Sequence, residues 1–284
     1  MLCITSISSA DSANKLSIAV LSFCPLHCID SGNKIIQERP GYAVEIYQRI
    51  FGTIEYEVDF HAVPFNRGMI EVNKGRIDAI SGPLKFDKEA LKIKIRQGPM
   101  IGPLYGELIY PEKNVGVHHS SCVFVHSDAE WEYTELSSLD GKTIGAGKNY
   151  DYGKETNLYL EERLAKDKDS VVFLTGNFVF TQNLKKLKHK RIDVVLMDRV
   201  SGRYAIQTAI AEREFESGLV KLLGCSGEPA NLYLAFSGRT PDISKKLAST
   251  FDKGIAELRK SGVLKEILSK YGLQDWHSYK AITQ

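Results

Sequence analysis

The sequence predicts an α/β protein made of two similar lobes that share a cleft, and three observations carry that prediction. A polar helix end, a basic residue, Ile-Asp and a short apolar run occur once in each half, so that Arg76-Ile77-Asp78 is echoed by Arg191-Ile192-Asp193. Strands and amphipathic helices alternate through both halves, which is the pattern of helices packed on a mainly parallel sheet. Two further helices follow the last strand, and a helical tail in that position packs on the first lobe and makes the chain cross between lobes twice.

The elements follow in order. Leu16 to Phe23 alternates Leu16, Ile18 and Val20 as a first strand and runs into Cys24-Pro25-Leu26-His27-Cys28. Gly41 to Phe51 reads as a helix with Val44, Tyr47 and Phe51 on one face, and Tyr56, Val58 and Phe60 alternate as a second strand. Val63-Pro64-Phe65-Asn66-Arg67 opens the next helix, which ends near Gly75 before the strand Ile77 to Ile80 and a tight Ser81-Gly82-Pro83 turn. Glycines and prolines then punctuate short apolar pieces as far as the strand Ser121 to Val125, where the chain is expected to enter the second lobe. There the strand Thr143 to Ala146, a helix to about Lys166, the strand Val171 to Leu174, a helix from about Phe178 to His189 and the buried strand Val194 to Met197 repeat the alternation. A helix to about Glu214 and the strands Val220 to Leu223 and Leu232 to Ser237 complete it. Thr240 is the expected N-cap of a helix with Pro241 at its first position, and Ile243, Leu247, Phe251, Ile255 and Leu258 keep helical spacing until Gly262. A last helix runs from Val263 to Tyr271.

With 284 residues, 43% hydrophobic and 25% charged, the chain is long enough for two domains and shows no disorder signature. A formal net charge of +2, with the basic residues spread along the chain, argues against a nucleic-acid partner. No apolar run is long enough to span a membrane. Residues 1–13 run from apolar to small residues and read as the remnant of a signal peptide, which implies export and an environment that permits disulfides.

Several motifs carry chemistry or fail to. Gly145-Ala146-Gly147-Lys148 lacks the glycine and the hydroxyl residue of a phosphate loop, because Lys142 and Asn149 stand there, and reads as a strand-to-helix turn. Cys24 and Cys28 are expected to pair in a disulfide around a tight loop; ligation of a metal together with His27, or free thiols, are the alternatives, and no fourth ligand at zinc-site spacing supports the metal. Cys122 and Cys225 have no assignable partner. Asp78 and Asp193 read as caps of local turns. Asp198 follows the apolar run Val194 to Met197, so its carboxylate leaves a strand end at the cleft and could hold an ammonium or hydroxyl group, the alternative being a salt bridge with Arg199 or Arg203. Arg67 sits near a helix start, where the dipole disfavours a cation, and an anionic ligand group is one reason for it. Tyr150 and Tyr152 suit ligand walls or interlobe packing, and His118-His119 reads as a solvated loop.

The chain resembles the family 3 extracellular solute-binding proteins of ABC importers. The resemblance rests on Gly41-Tyr42-Ala43-Val44-Glu45, Lys74-Gly75-Arg76-Ile77-Asp78-Ala79-Ile80, Ser138-Leu139-Asp140-Gly141-Lys142-Thr143-Ile144-Gly145, Arg191-Ile192-Asp193-Val194-Val195-Leu196-Met197-Asp198 and the ending Leu258 to Gly272. It implies a two-lobed type II periplasmic binding protein fold, with residues 16–120 plus 238–284 in one lobe, 121–237 in the other, and Ser121–Val125 and Leu232–Ser237 as hinge strands. It further implies a periplasmic monomer with no cofactor that captures a small polar, anionic or amino-acid-like ligand for a membrane permease. Asp198 matches the carboxylate that holds the amino group of amino-acid ligands. The arginine that clamps the ligand carboxylate falls near Ala90, and Asn149-Tyr150-Asp151 replaces the usual Gly-Thr-Thr. The Cys-Pro-x-x-Cys loop, Pro64-Phe65-Asn66-Arg67 and the Tyr-x-Tyr-Gly stretch look like a branch of that family in which Arg67 takes the anion. The ligand set expected on this basis is Phe65, Arg67, Ser81, Gly82, Pro83, Asn149, Tyr150, Tyr152 and Asp198. The same fold hosts periplasmic dehydratases of cyclic prephenate-like acids, the alternative, for which Asp198 or Asp151 would be the general acid.

Overall fold

Leu16, Ile18, Ala19 and Val20 are all buried because β1 (Asn14–Val20) lies inside a sheet, flanked in parallel by β2 (Tyr56–Ala62) and β3 (Ala79–Leu84). The computed structural model describes residues 14–86, 105–119, 121–148, 150–175 and 178–277. Residues 1–13, Ala90 and Asn149, on which three of the expectations fall, lie outside the described residues. The first sheet has the order β2-β1-β3-β10-β4, with β10 (Ala230–Phe236) antiparallel to both β3 and β4 (Gly116–His118). The second has the order β7-β6-β8-β5-β9, with β6 (Ile144–Gly147), β7 (Val171–Leu174) and β8 (Val194–Met197) parallel. β5 (Ser121–His126) runs antiparallel to β8 and to β9 (Val220–Ser226). The chain therefore passes from the first sheet to the second between β4 and β5 and returns between β9 and β10. β10, which the sequence reading places in the second lobe, is hydrogen-bonded in the first sheet.

The two Ile-Asp motifs do the same job in the two sheets. The Asp78 carboxylate accepts from the backbone N–H and hydroxyl of Ser17 at 2.8 and 2.6 Å, tying the start of β3 to β1. The Asp193 carboxylate accepts from the backbone N–H of Thr143 at 2.7 Å, tying the start of β8 to β6. Each carboxylate meets a donor that the strand geometry leaves unpaired, so the motif recurs because the same join recurs.

Helices cover both faces of both sheets. On the first, α1 (Tyr42–Gly52) buries Val44, Tyr47 and Phe51, and α2 (Phe65–Asn73) buries Met69 and Val72. The second carries α3 (Lys154–Lys166), α4 (Val179–Lys188) and α5 (Arg199–Ala211). The tail helices α6 (Pro241–Lys260) and α7 (Val263–Ser269) return to the first lobe, where Leu247, Phe251 and Ile255 join the cluster of α1 and β1. Pro241 does occupy the first turn of α6, but Ile243 is 55% exposed, so the apolar stripe begins one turn later than its spacing implies.

Two local expectations are corrected. Ser81-Gly82-Pro83 is no turn: it lies inside β3, where Gly82 takes a φ of 99° and a register irregularity between Leu232 and Leu234 of β10 absorbs the distortion. His118 is no solvated loop residue either, since it ends β4.

Candidate functional site

The carboxyl ends of parallel strands are where open α/β sheets receive ligands. At the end of β1 the Cys24–Cys28 disulfide is present, and Phe23 and His27 pair their backbones across the loop at 3.1 and 3.0 Å. With both sulfurs bonded to each other, the metal alternative for Cys24, His27 and Cys28 has lost two of its ligands. The loop's carbonyls face α1: Pro25 and Leu26 accept the N–H groups of Tyr42 and Ala43, two donors that a helix start leaves unpaired. Gly41 makes this contact possible, because a Cβ there would sit 2.4 Å from the Leu26 carbonyl and its φ is 104°. His27 is fully buried, with Nε2 at 2.6 Å from the Ser81 hydroxyl, and burial pushes the imidazole down to about 3, so the ring is neutral.

Asp198 leaves β8 as expected, but its carboxylate is occupied. It is the N-cap of α5, accepting from the N–H groups of Val200 and Ser201 at 3.0 and 2.8 Å. Its second oxygen accepts the backbone N–H of His119 at 2.8 Å and lies 3.2 Å from Nδ1 of His118. The residue is 2% exposed. Burial opposes its charge, yet His118 and the backbone donors outweigh that, and the pKa is lowered. His118 mirrors this: burial disfavours the imidazolium, the contacts with Asp198 and Asp151 outweigh it, and the pKa is raised.

Around His118 the two halves meet. Phe23 stands edge-on to the His118 ring at 5.6 Å and to Phe180 of α4 at 6.2 Å, and Phe180 meets Tyr150 at 5.8 Å. On the other side Tyr105, adjacent to Phe65 at 6.5 Å and Phe86 at 5.1 Å, feels the charge of Asp151. The loop that brings Tyr150 and Asp151 here is anchored on α3, since Asp151 Oδ1 accepts from Gly153 N–H and Asn157 Nδ2, both at 3.0 Å.

The expected ligand residues thus divide. Phe65, Arg67 and Tyr150 keep accessible surface. Arg67 is ion-paired with Glu71 one helical turn away at 2.9 Å, and Glu71 also holds Arg76 at 3.0 Å. Ser81 is buried with its hydroxyl between His27 and Tyr47, Pro83 is buried, and Gly82 is half-buried beside Leu21 and Leu26. Tyr152 is a core residue whose hydroxyl accepts from Gly147 N–H at 2.7 Å. Asn149 lies outside the described residues. From sequence His118 reads as a solvated loop residue, and Phe23 and Phe180 are given no role in the site; only the strand end Gly116-Val117-His118 carries a signal, for the first of them.

Below the crossing, Cys122 of β5 and Cys225 of β9 face each other in register and form a second disulfide. Beside it the hydroxyls of Ser121, Thr156 and Ser226 hydrogen-bond one another at 2.7 to 3.2 Å. The two crossing segments are therefore joined to each other on the second-sheet side.

No family model matches the chain. It is 23% identical over 237 residues to the "Probable amino-acid-binding protein YxeM" of Bacillus subtilis, covering 83% of this chain and 76% of that protein. Among solved structures, a substrate-binding protein of an ABC uptake transporter from Streptococcus pneumoniae with bound histidine superposes with a TM-score of 0.62 at 17% identity, over 90% of this chain and 92% of that one. A histidine kinase sensor domain with similarity to periplasmic binding proteins gives 0.61 at 18% identity, over 91% and 95%. At these identities the likeness speaks to architecture: the chain has the periplasmic binding protein fold.

Proposed function

We propose that the chain is an exported receptor that captures a small solute between two lobes and presents it to an ABC importer. The observation that carries this is the double crossing, between β4 and β5 and between β9 and β10, with groups from both sheets converging on one place: Phe23 and His118 from the first, Tyr150, Asp151, Phe180 and Asp198 from the second. On this reading the lobes are residues 14–118 with 230–277, and 121–226. The relative named an amino-acid-binding protein and the importer component with bound histidine support the reading. Closure about the two crossing segments is the working motion of such a fold, and a solute drives it only by its preference for the closed form. Phe65, Arg67 and Tyr150 are the expected residues we retain as ligand contacts.

Binding rather than turnover is the reading, with the protein acting as a monomer outside the cytoplasm. The dehydratase alternative needs an acid in the cleft, and Asp198, with four partners and a lowered pKa, is a poor proton donor. A thermal-shift screen of amino acids, organic acids, sugars and short peptides, followed by a turnover assay on the hits, tests it. A stabilising solute that is recovered unchanged supports the receptor, and a solute that is consumed contradicts it.

A further inference from the structure

His119 lies on the first crossing, between β4 and β5, while Cys122 belongs to β5 and Cys225 to β9, just before the second crossing. A ring nitrogen of His119 and the two sulfurs all lie within 4.8 Å of one another, and among the described residues no other three metal-binding side chains come together in this way. Donor atoms around one tetrahedral Zn2+ stand roughly 3.5–4 Å apart, so this set needs little backbone movement to enclose an ion. Two thiolates and an imidazole are the donors that thiophilic ions favour, and three protein ligands leave a fourth position to water.

The His119 ring is held as a ligand's ring would be. Nε2 lies 3.1 Å from the backbone carbonyl of Ser226, which can only accept, so Nε2 carries the proton and Nδ1 keeps its lone pair. Metal-bound histidines are oriented by such a bond from the second ring nitrogen. Cys122 is buried, but His119 and Cys225 are half-buried, so the set is open to solvent at two of its three members. The Cys24–Cys28 pair offers no counterpart, because the His27 ring is fully buried against the Ser81 hydroxyl.

We propose that reduction of the Cys122–Cys225 disulfide turns Cys122, Cys225 and His119 into a site for a thiophilic divalent ion such as Zn2+, which then replaces the covalent bond as the link between the two crossings. The reductant is a dithiol. Its two sulfurs bond to each other, its two protons and two electrons pass to Cys122 and Cys225 as their S–S bond breaks, and both thiol protons go to water when the ion binds. The site does not depend on the solute-binding reading. It does adjoin the junction of the two halves, since the backbone N–H of His119 donates to the Asp198 carboxylate at 2.8 Å.

The test is titration of Zn2+ against a colorimetric chelator, with the chain oxidised and again after reduction by a phosphine that is then removed. Cys3→Ser/Cys24→Ser/Cys28→Ser leaves Cys122 and Cys225 as the only cysteines. The expected result is one Zn2+ per reduced chain and none taken from the chelator by the oxidised chain. His119→Ala should weaken binding about tenfold or more, and Cys122→Ser/Cys225→Ser should abolish it. Co2+ in place of Zn2+ should give the near-ultraviolet thiolate-to-cobalt absorption, which a merely structural role for these residues does not produce. If the triple variant fails to fold, the site is read on the otherwise native reduced chain as the difference made by His119→Ala. If reduction itself unfolds the chain, Zn2+ should restore its circular dichroism. The proposal is overturned if the reduced chain takes no Zn2+, if the oxidised chain binds it equally, if His119→Ala changes nothing, or if an unfolded reduced chain stays unfolded with the ion.

Discussion

Nδ1 of His118 lies 3.2 Å from the carboxylate of Asp198, and this pair joins β4 of the first sheet to the start of α5 on the second. Its two members have opposite shifts, and the signs set a pH window. The His118 pKa is raised above its ordinary 6.5, so its contribution to stability is complete below 6.5 and is lost as pH rises through the folded value. The Asp198 pKa is lowered below 3.8, so its contribution is present above 3.8 and is lost as pH falls through the folded value. The pair should therefore stabilise most between these two ordinary values. Urea midpoints of the native protein and His118→Gln, measured from pH 5 to 9, should converge on the alkaline side; a constant gap would show that the contact does not titrate with folding.

Asp198→Ala should destabilise by about 3–5 kcal/mol, because it leaves a charged His118 and three backbone N–H groups without their acceptor. Asp78→Ala and Asp193→Ala each remove a tie between strand starts at the surface and should cost less, on the order of 1–3 kcal/mol. Denaturant unfolding of the three variants ranks them, and equal losses would mean that Asp198 is a surface cap like the other two.

The two disulfides should contribute unequally. Cys122–Cys225 closes a sequence separation of 103 residues and Cys24–Cys28 one of 4. Loop-closure entropy alone gives about 4.7 kcal/mol for a loop of ~100 residues and about 2 kcal/mol for one of a few residues. Thermal unfolding of the Cys122→Ser/Cys225→Ser and Cys24→Ser/Cys28→Ser proteins should show the larger loss in the first. Peptide mapping without reductant should recover both cross-linked pairs, and free thiols at these positions would count against the arrangement.

Arg67→Ala should weaken binding of an anionic solute by ten- to a hundredfold, since a charge-assisted hydrogen bond contributes about 1.5–3 kcal/mol. Its pair with Glu71 joins an exposed guanidinium to a buried carboxylate, and because Glu71 keeps Arg76 the loss of stability should be small. Calorimetry with an identified solute decides it; an unchanged affinity would reduce Arg67 to a surface charge.

The architecture was legible because periodicity reports burial. Val194 to Met197 is apolar throughout as it lies between two strands, and the echo of Ile-Asp marked two equivalent strand starts correctly. The candidate site was less legible, for a physical reason. Whether a strand-end carboxylate faces ligand or protein depends on what another strand brings to it, and His118 reaches Asp198 from the other half of the molecule. Ser81 and Tyr152, residue types suited to ligands, are likewise held in the core by contacts from elsewhere, with His27 and Tyr47 and with Gly147. The pairing of Cys122 with Cys225 needed the antiparallel register of β5 and β9, which no spacing within one segment can reveal.

The central claim, a cleft that closes on one small solute, is tested most directly by titration calorimetry of the native protein with the strongest hit of the broad solute screen. The account predicts one ligand per chain, bound with a dissociation constant near or below ~1 µM, which corresponds to about 8 kcal/mol. A screen with no binder, or a hit that binds at several weak and equivalent sites, would contradict it.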